Sequence, residues 1–167
     1  MRRLLLSAAA MLLLGIAAGF VWLWLANPAE WEARAEGIVL TEAAAKGEFS
    51  VIVVFVLIGA VTSWLWAWAT TVALGDIGWV ITPIVVVLSV LAAVIAWRVG
   101  VELGPPDPAS VSGVEVGDTI PAQLAVDGVA PFLVWPIFAL VGVVLGTLGQ
   151  RDQAADDRTP AGVDQTS

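Results

Sequence analysis

Four apolar stretches without a single Asp, Glu, Lys, Arg or His constrain the fold of this chain more than any other feature. They cover residues 4–25, 49–74, 79–97 and 129–148. A helix rises about 1.5 Å per residue, so about 20 apolar residues cross a hydrocarbon core of about 30 Å. A membrane strand needs only about 10 residues of alternating character. The sequence therefore predicts an all-α fold, a bundle of four transmembrane helices.

The composition excludes several classes of chemistry. Charged residues make up 13% of the chain, against about 25% in soluble domains. Cys and His are both absent, which removes disulfides, thiol nucleophiles, imidazole catalysis and the usual zinc ligands. The sequence predicts no cofactor, no metal site and no catalytic residue. We therefore expect a protein that is not an enzyme.

The basic residues predict the orientation in the membrane. Arg2 and Arg3 directly precede the first helix, and the positive-inside rule places such residues in the cytoplasm. Both termini are then cytoplasmic in a multi-pass plasma-membrane protein, with residues 26–48 and 98–128 as outer loops and residues 75–78 as an inner turn. A cleaved signal peptide is the alternative for the first stretch, but its length and its ending in Trp22 and Trp24 favour a retained helix.

The two outer loops are strongly acidic. They hold ten acidic and three basic residues, for a net charge of −7. Such a surface repels phosphate backbones, so we expect no nucleic-acid binding. The acids of the second loop form a candidate surface for a basic protein partner: Glu102, Asp107, Glu115 and Asp118. The alternative is that these acids only keep the loop solvated.

Local signals predict the structure of the loops and the tail. Asn27, Pro28 and Glu30 have the spacing of a capping box, which favours a short outer helix over residues 28–36. The second loop is rich in Pro and Gly and is predicted to be irregular. The membrane domain then covers residues 1–148, and residues 149–167 form a polar cytoplasmic tail that is predicted to be disordered.

Tryptophan is unusually frequent, with nine residues. Its amphipathic ring favours the headgroup level of a bilayer, so most of these residues are interpreted as interface anchors. Trp135 lies inside the fourth helix and is interpreted as core packing. The candidate anchors are Trp22, Trp24, Trp31, Trp64, Trp66, Trp68, Trp79 and Trp97.

Small residues recur four positions apart within the helices. This spacing lets two helix backbones approach closely in lipid. Packing inside the bundle is the favoured interpretation, and a homo-oligomer contact is the alternative. The candidate packing residues are Gly15, Gly19, Gly59, Ser63, Gly142 and Gly146.

Three segments carry a resemblance to a known group of proteins. They are VLTEAAAKGEF (residues 39–49), AWRVGVELGPPDP (residues 96–108) and FLVWPIFALVGVVLG (residues 132–146). Together they resemble a family of uncharacterised actinobacterial membrane proteins with four predicted helices, a domain of unknown function. The resemblance implies a plasma-membrane location and supplies no activity, cofactor or catalytic residue.

Two functions remain open at this point. Proteins that move protons or ions keep ionisable groups at depth, and the four stretches have none. The sequence therefore favours a scaffold or accessory subunit that acts through protein–protein contacts in the lipid bilayer or outside the membrane. The alternative is a small transporter or channel subunit that forms its pathway only as an oligomer, for which the interior Pro136 would supply a broken helix.

Overall fold

The computed structural model contains four helices, each long and apolar enough to cross a membrane. They are α1 (Arg2–Leu25), α2 (Glu42–Ala73), α3 (Ile81–Leu103) and α4 (Ala130–Asp156). The structure describes residues 1–26, 30–34, 37–39, 42–106, 119–121, 123–124, 126 and 128–156, with side chains for 1–26, 47, 49–75, 78–106, 123–124, 126 and 128–151. The predicted four-helix class is confirmed, and the chain is compatible with an integral membrane protein.

Three of the helices extend beyond the apolar stretches. α2 begins at Glu42 instead of residue 49, α3 runs to Leu103 instead of residue 97, and α4 runs to Asp156 instead of residue 148. The added segments contain good helix formers such as EAAAK, so the helix continues where the chain has become polar. The prediction of a disordered tail is wrong for residues 149–156, while residues 157–167 lie outside the described part of the chain.

The loops between the helices form a small sheet. Strands β1 (Glu30–Arg34), β2 (Gly37–Val39) and β3 (Thr119–Pro121) are antiparallel, in the order β2-β1-β3. The predicted helix over residues 28–36 is therefore wrong, and the loops are not irregular where these strands lie. The residue types of β1, EWEAR, alternate with the period of a strand. Pairing with β3, far away in sequence, outweighs the local capping signal.

The helices surround the core in the spatial order α1, α2, α4, α3. The most extensive contacts join α1 to α3 and α2 to α4, whereas α1 and α2 touch less, and the diagonal pairs, α2 with α3 and α1 with α4, touch least. The chain reverses direction between consecutive helices, so the two best-packed pairs are parallel. The connection between α2 and α3 must therefore cross the diagonal of the bundle.

A 3-10 turn, Gly75–Val80, makes this crossing at the position of the predicted inner turn. Within it, Gly78 adopts φ 68° and ψ −146°, a conformation that residues with a Cβ rarely adopt. The glycine redirects the chain between the end of α2 at Ala73 and the start of α3 at Ile81. The start of α1, the end of α4 and this turn lie at one end of the bundle, and the sheet lies at the other; we refer to these as the terminal end and the sheet end.

Candidate functional site

Five aromatic side chains close the core in the half of the bundle nearest the sheet. The ring centroid of Phe55 lies 5.1 Å from that of Trp22, 5.4 Å from Phe132 and 5.7 Å from Trp135. Trp97 joins the group through Phe132, at 6.0 Å. All four helices contribute to this aromatic cluster, and each edge-to-face pair adds about 1 kcal/mol beyond its buried area. The cluster therefore ties the helices together where the loops leave the bundle.

Two of the predicted interface anchors belong to the core instead, so that prediction is wrong for Trp22 and Trp66. Trp22 is fully buried, and its indole Nε1 donates a hydrogen bond to the carbonyl of Val51 at 2.9 Å. Trp66 is 7% exposed and donates to the carbonyl of Ser7 at 3.1 Å. Positions two apart on a helix point about 200° apart. Trp22 and Trp66 therefore point inward, whereas the tryptophans two positions away point outward. The number of tryptophans alone does not show this difference.

The other candidate anchors point outward or are half-buried. Trp24 and Trp79 are the most exposed, at 83% each. The ring of Trp97 has the Arg98 guanidinium 5.4 Å from its centroid. The side chain of Trp31 lies outside the described residues. Anchoring at the membrane surface stays a prediction for Trp24, Trp31, Trp64, Trp68, Trp79 and Trp97.

The glycines of α1 face α3. A Cβ built at Gly15 would lie 2.8 Å from the carbonyl oxygen of Ala92, and one at Gly19 would lie 2.7 Å from the Cβ of Val99. Both distances are shorter than van der Waals contact. The two helices therefore approach closely along this line, and the two glycines lie inside the bundle.

The glycines of α4 face α2 in the same way. A Cβ at Gly142 would lie 2.9 Å from the backbone nitrogen of Trp68, and one at Gly146 would lie 2.9 Å from the Cβ of Thr71. Gly59 of α2 lies in turn beneath the indole of Trp135, which a Cβ would overlap. Small residues on both helices therefore allow α2 and α4 to pack closely.

Two buried polar atoms have no hydrogen-bond partner in the described part of the chain. They are the hydroxyl oxygen of Ser63 and the indole Nε1 of Trp135, and both side chains are fully buried. Ser63 lies one turn from Gly59, the residue that the indole covers, on the same face of α2. A buried polar group without a partner lowers stability because its desolvation is not compensated.

Ser63→Ala is therefore expected to stabilise the bundle, by about 1 kcal/mol in the free energy of unfolding. Thermal unfolding of the purified protein in detergent measures the effect. Ser7→Ala is the matched control, because the Ser7 hydroxyl lies 2.8 Å from that of Thr70. Loss of that hydrogen bond is expected to destabilise by about 0.6 kcal/mol. A loss of stability in Ser63→Ala as large as in Ser7→Ala would contradict the assignment of an unpaired hydroxyl.

Three of the other hydroxyls at depth bond to their own helix. The hydroxyls of Thr71, Ser89 and Thr147 donate to carbonyls three or four residues earlier, each at 2.8 Å. Gln150 was missed by the sequence analysis: its Nε2 lies 3.3 Å from the carbonyls of Thr71 and Val72. It supplies a donor to the last turn of α2, where carbonyls lack helical partners. Only its position two residues beyond the fourth apolar stretch indicated such a role.

The α1–α2 side is the looser side of the bundle. The Ser7–Thr70 hydroxyl pair and the Trp66 indole join the two helices near the terminal end. A cleft of about 440 Å³ opens there, with Arg3 in its lining. A second cleft of about 440 Å³ lies farther along the same two helices, toward the sheet end. We refer to the two clefts together as the α1–α2 seam.

Of the candidate acidic surface, only Glu102 belongs to the described residues. Its carboxylate lies 3.5 Å from the Arg98 guanidinium, one turn earlier on α3, and both side chains are about two-thirds exposed. Such a pair contributes little to stability. Asp107, Glu115 and Asp118 lie outside the described residues. No group of three potential metal ligands occurs within the described part of the chain.

No protein-family model, curated protein or solved structure matches the chain. The resemblance of residues 39–49, 96–108 and 132–146 to the actinobacterial family therefore stays a prediction.

Proposed function

We propose that this protein is a non-enzymatic integral membrane protein, a scaffold or accessory subunit that binds a partner protein through its outer loops. The sheet carries this proposal because it joins the two acidic loops into one folded unit. β1 comes from the first loop and β3 from the second, with Glu30 opposite Pro121 and Glu32 opposite Thr119. β2 and β3 are the edge strands, and edge strands offer backbone groups to a partner.

The interior of the bundle supports a structural role. The hydroxyls of Thr71, Ser89 and Thr147 are satisfied by their own helices, and the aromatic cluster fills the core near the sheet. Proton and ion pathways instead use ionisable groups inside the membrane. The four membrane stretches carry none. Ten of the fifteen acidic residues lie in residues 26–48 and 98–128, where a partner would bind.

The charge of the loops defines the partner. With a net charge of −7, residues 26–48 and 98–128 favour a partner surface rich in Lys and Arg. This attraction is sensitive to salt, since the Debye length falls from about 10 Å at 0.1 M to about 3 Å at 1 M.

Neutralising the acidic loop is expected to release the partner. Affinity capture of the full chain from native membranes, after mild crosslinking, compares the native chain with a variant in which four acids are replaced by Asn or Gln. These are Glu102, Asp107, Glu115 and Asp118. We expect the captured protein to be retained about fivefold less by the variant, since each close charge contributes up to about 1 kcal/mol. The same loss is expected for the native chain in 0.5 M salt.

Replacing Asp156 and Asp157 by Asn is the matched control, because these acids lie in the C-terminal part of the chain, outside residues 26–48 and 98–128, and should not affect capture. Retention that is indifferent to the four substitutions and to salt would contradict an electrostatic partner surface. Reconstitution of the purified chain into liposomes tests the transporter or channel alternative. Solute flux above that of empty vesicles would favour that alternative over a scaffold.

The proposed orientation has both termini in the cytoplasm and the sheet outside the plasma membrane. The chain has no Cys, so single-Cys variants need no background removal. Ser112→Cys is expected to react with a membrane-impermeant maleimide in intact cells. Ser167→Cys is expected to react only after the membrane is permeabilised. The reverse pattern would invert the topology.

A further inference from the structure

The terminal part of the α1–α2 seam has polar and apolar surfaces in a defined order. Arg3, in the first turn of α1, lines the cleft at its outer end. Ser7 and Thr70 follow, with Ser7 one turn or about 5.4 Å deeper than Arg3. The rest of the lining is apolar: Leu6, Ala10, Trp66, Ala69, Ala73 and Leu74.

The hydroxyl pair retains a donor for a ligand. Ser7 Oγ and Thr70 Oγ1 lie 2.8 Å apart and share one hydrogen. Each hydroxyl carries one hydrogen and two lone pairs, so the accepting hydroxyl keeps its own hydrogen. Both residues line the cleft. An acceptor seated in the cleft, one turn below a group bound to Arg3, would therefore meet this donor.

The cleft extends about two-thirds of the way through one leaflet of a bilayer. From Arg3 to Ala10 the helix rises about 10 Å, and half of a hydrocarbon core is about 15 Å. The second cleft continues the seam with Leu14, Ala18 and Leu57 among its lining residues. A cation, a hydroxyl donor and an apolar channel thus follow one another along the axis, in the order of phosphate, ester carbonyl and acyl chain in a phospholipid.

We propose that this part of the seam binds one anionic phospholipid. Arg3 binds the phosphate, the Ser7–Thr70 pair donates to a glycerol ester carbonyl, and an acyl chain lies between α1 and α2. Arg3 is the one charged residue in the lining of this cleft, and Arg2 and the Met1 amino group precede it at the start of α1. Anionic headgroups are attracted to such clusters.

The test uses the full chain in detergent micelles. Native mass spectrometry measures the retention of palmitoyl-oleoyl phosphatidylglycerol against that of phosphatidylcholine. We expect one phosphatidylglycerol per chain, preferred about fivefold, and loss of the preference in Arg3→Gln. Arg151→Gln is the matched control: it removes an exposed cation from the same end but outside the cleft, and should keep the preference.

A second pair of variants tests the acyl channel. Ala10→Phe fills the cleft and should reduce retention of both lipids at least fivefold. Ala9→Phe adds the same ring at an exposed position outside this cleft and should not. Equal retention of the two lipids by the native chain, or an unchanged preference in Arg3→Gln, would overturn the proposal. A dimer that Ala10→Phe dissociates would assign the cleft to a second copy. Because the cleft and the sheet lie at opposite ends of the bundle, the lipid site and the partner surface are tested independently, and failure of one proposal does not affect the other.

Discussion

Gly59→Leu is expected to destabilise the bundle by about 3 kcal/mol or more, enough to prevent folding at ordinary temperatures. A Cβ at this position would overlap the indole of Trp135. That ring is fully buried and lies against Phe55, at 5.7 Å between centroids, so it has no free space to enter. Overpacking a closely packed core costs about 1–3 kcal/mol, and more where a rigid ring or the backbone must move. Thermal unfolding in detergent measures the loss.

Leucine substitutions at two other glycines, both in α4, provide comparisons for the stability loss of Gly59→Leu. Gly149→Leu is the matched control, because no atom lies within 4 Å of a Cβ built there. Gly146→Leu should lower the free energy of unfolding by about 1–3 kcal/mol, which is between the effects of Gly149→Leu and Gly59→Leu. A Cβ at Gly146 would lie 2.9 Å from the side chain of Thr71. Adding Trp135→Ala to Gly59→Leu should recover stability relative to Gly59→Leu alone, because the ring and the leucine compete for one space. Equal unfolding of the Gly59 and Gly149 variants would contradict this view of the α2–α4 interface.

The four helices were predictable because membrane crossing depends on local composition. About 20 uncharged residues are sufficient evidence for a spanning helix, whatever its neighbours are. Pro136 illustrates this, since α4 continues through it from Ala130 to Asp156. Neighbouring helices commonly compensate for an interior proline in a membrane protein. The length and apolarity of the stretch were therefore better guides than the single helix-breaking residue.

The sheet and the α1–α2 seam were not predictable, because both depend on residues far apart in the chain. Glu32 pairs with Thr119, and Ser7 meets Thr70. Nothing near Glu32 indicates that a strand will arrive from the second loop. The capping signal of Asn27 and Glu30 is local and was weaker than that pairing. The spatial order of the helices, which leaves the seam open between α1 and α2, likewise follows from packing across the whole bundle.

Trp22→Ala is expected to lower the free energy of unfolding by about 3 kcal/mol. The ring is fully buried, donates a hydrogen bond to Val51 and lies edge-on to Phe55. It also rests on Gly100 of α3, whose missing side chain makes room for it. Removing a large aromatic side chain from a core costs about 3–5 kcal/mol in soluble proteins. The lower value applies here because the unfolded helices exchange protein contacts for lipid instead of water.

Trp24→Ala provides the control two residues away. Its ring is 83% exposed on the surface of the bundle, so its removal should change the free energy of unfolding by less than about 0.5 kcal/mol. Both variants remove a tryptophan side chain from the same turn of α1. The sequence predicts both residues to be interface anchors. Denaturation in mixed micelles of increasing SDS content compares them. Equal losses would mean that Trp22 acts at the bilayer surface and not in the core. If only Trp22→Ala lowers the free energy of unfolding, the direction of a tryptophan side chain on α1 determines whether it packs in the core or lies at the surface.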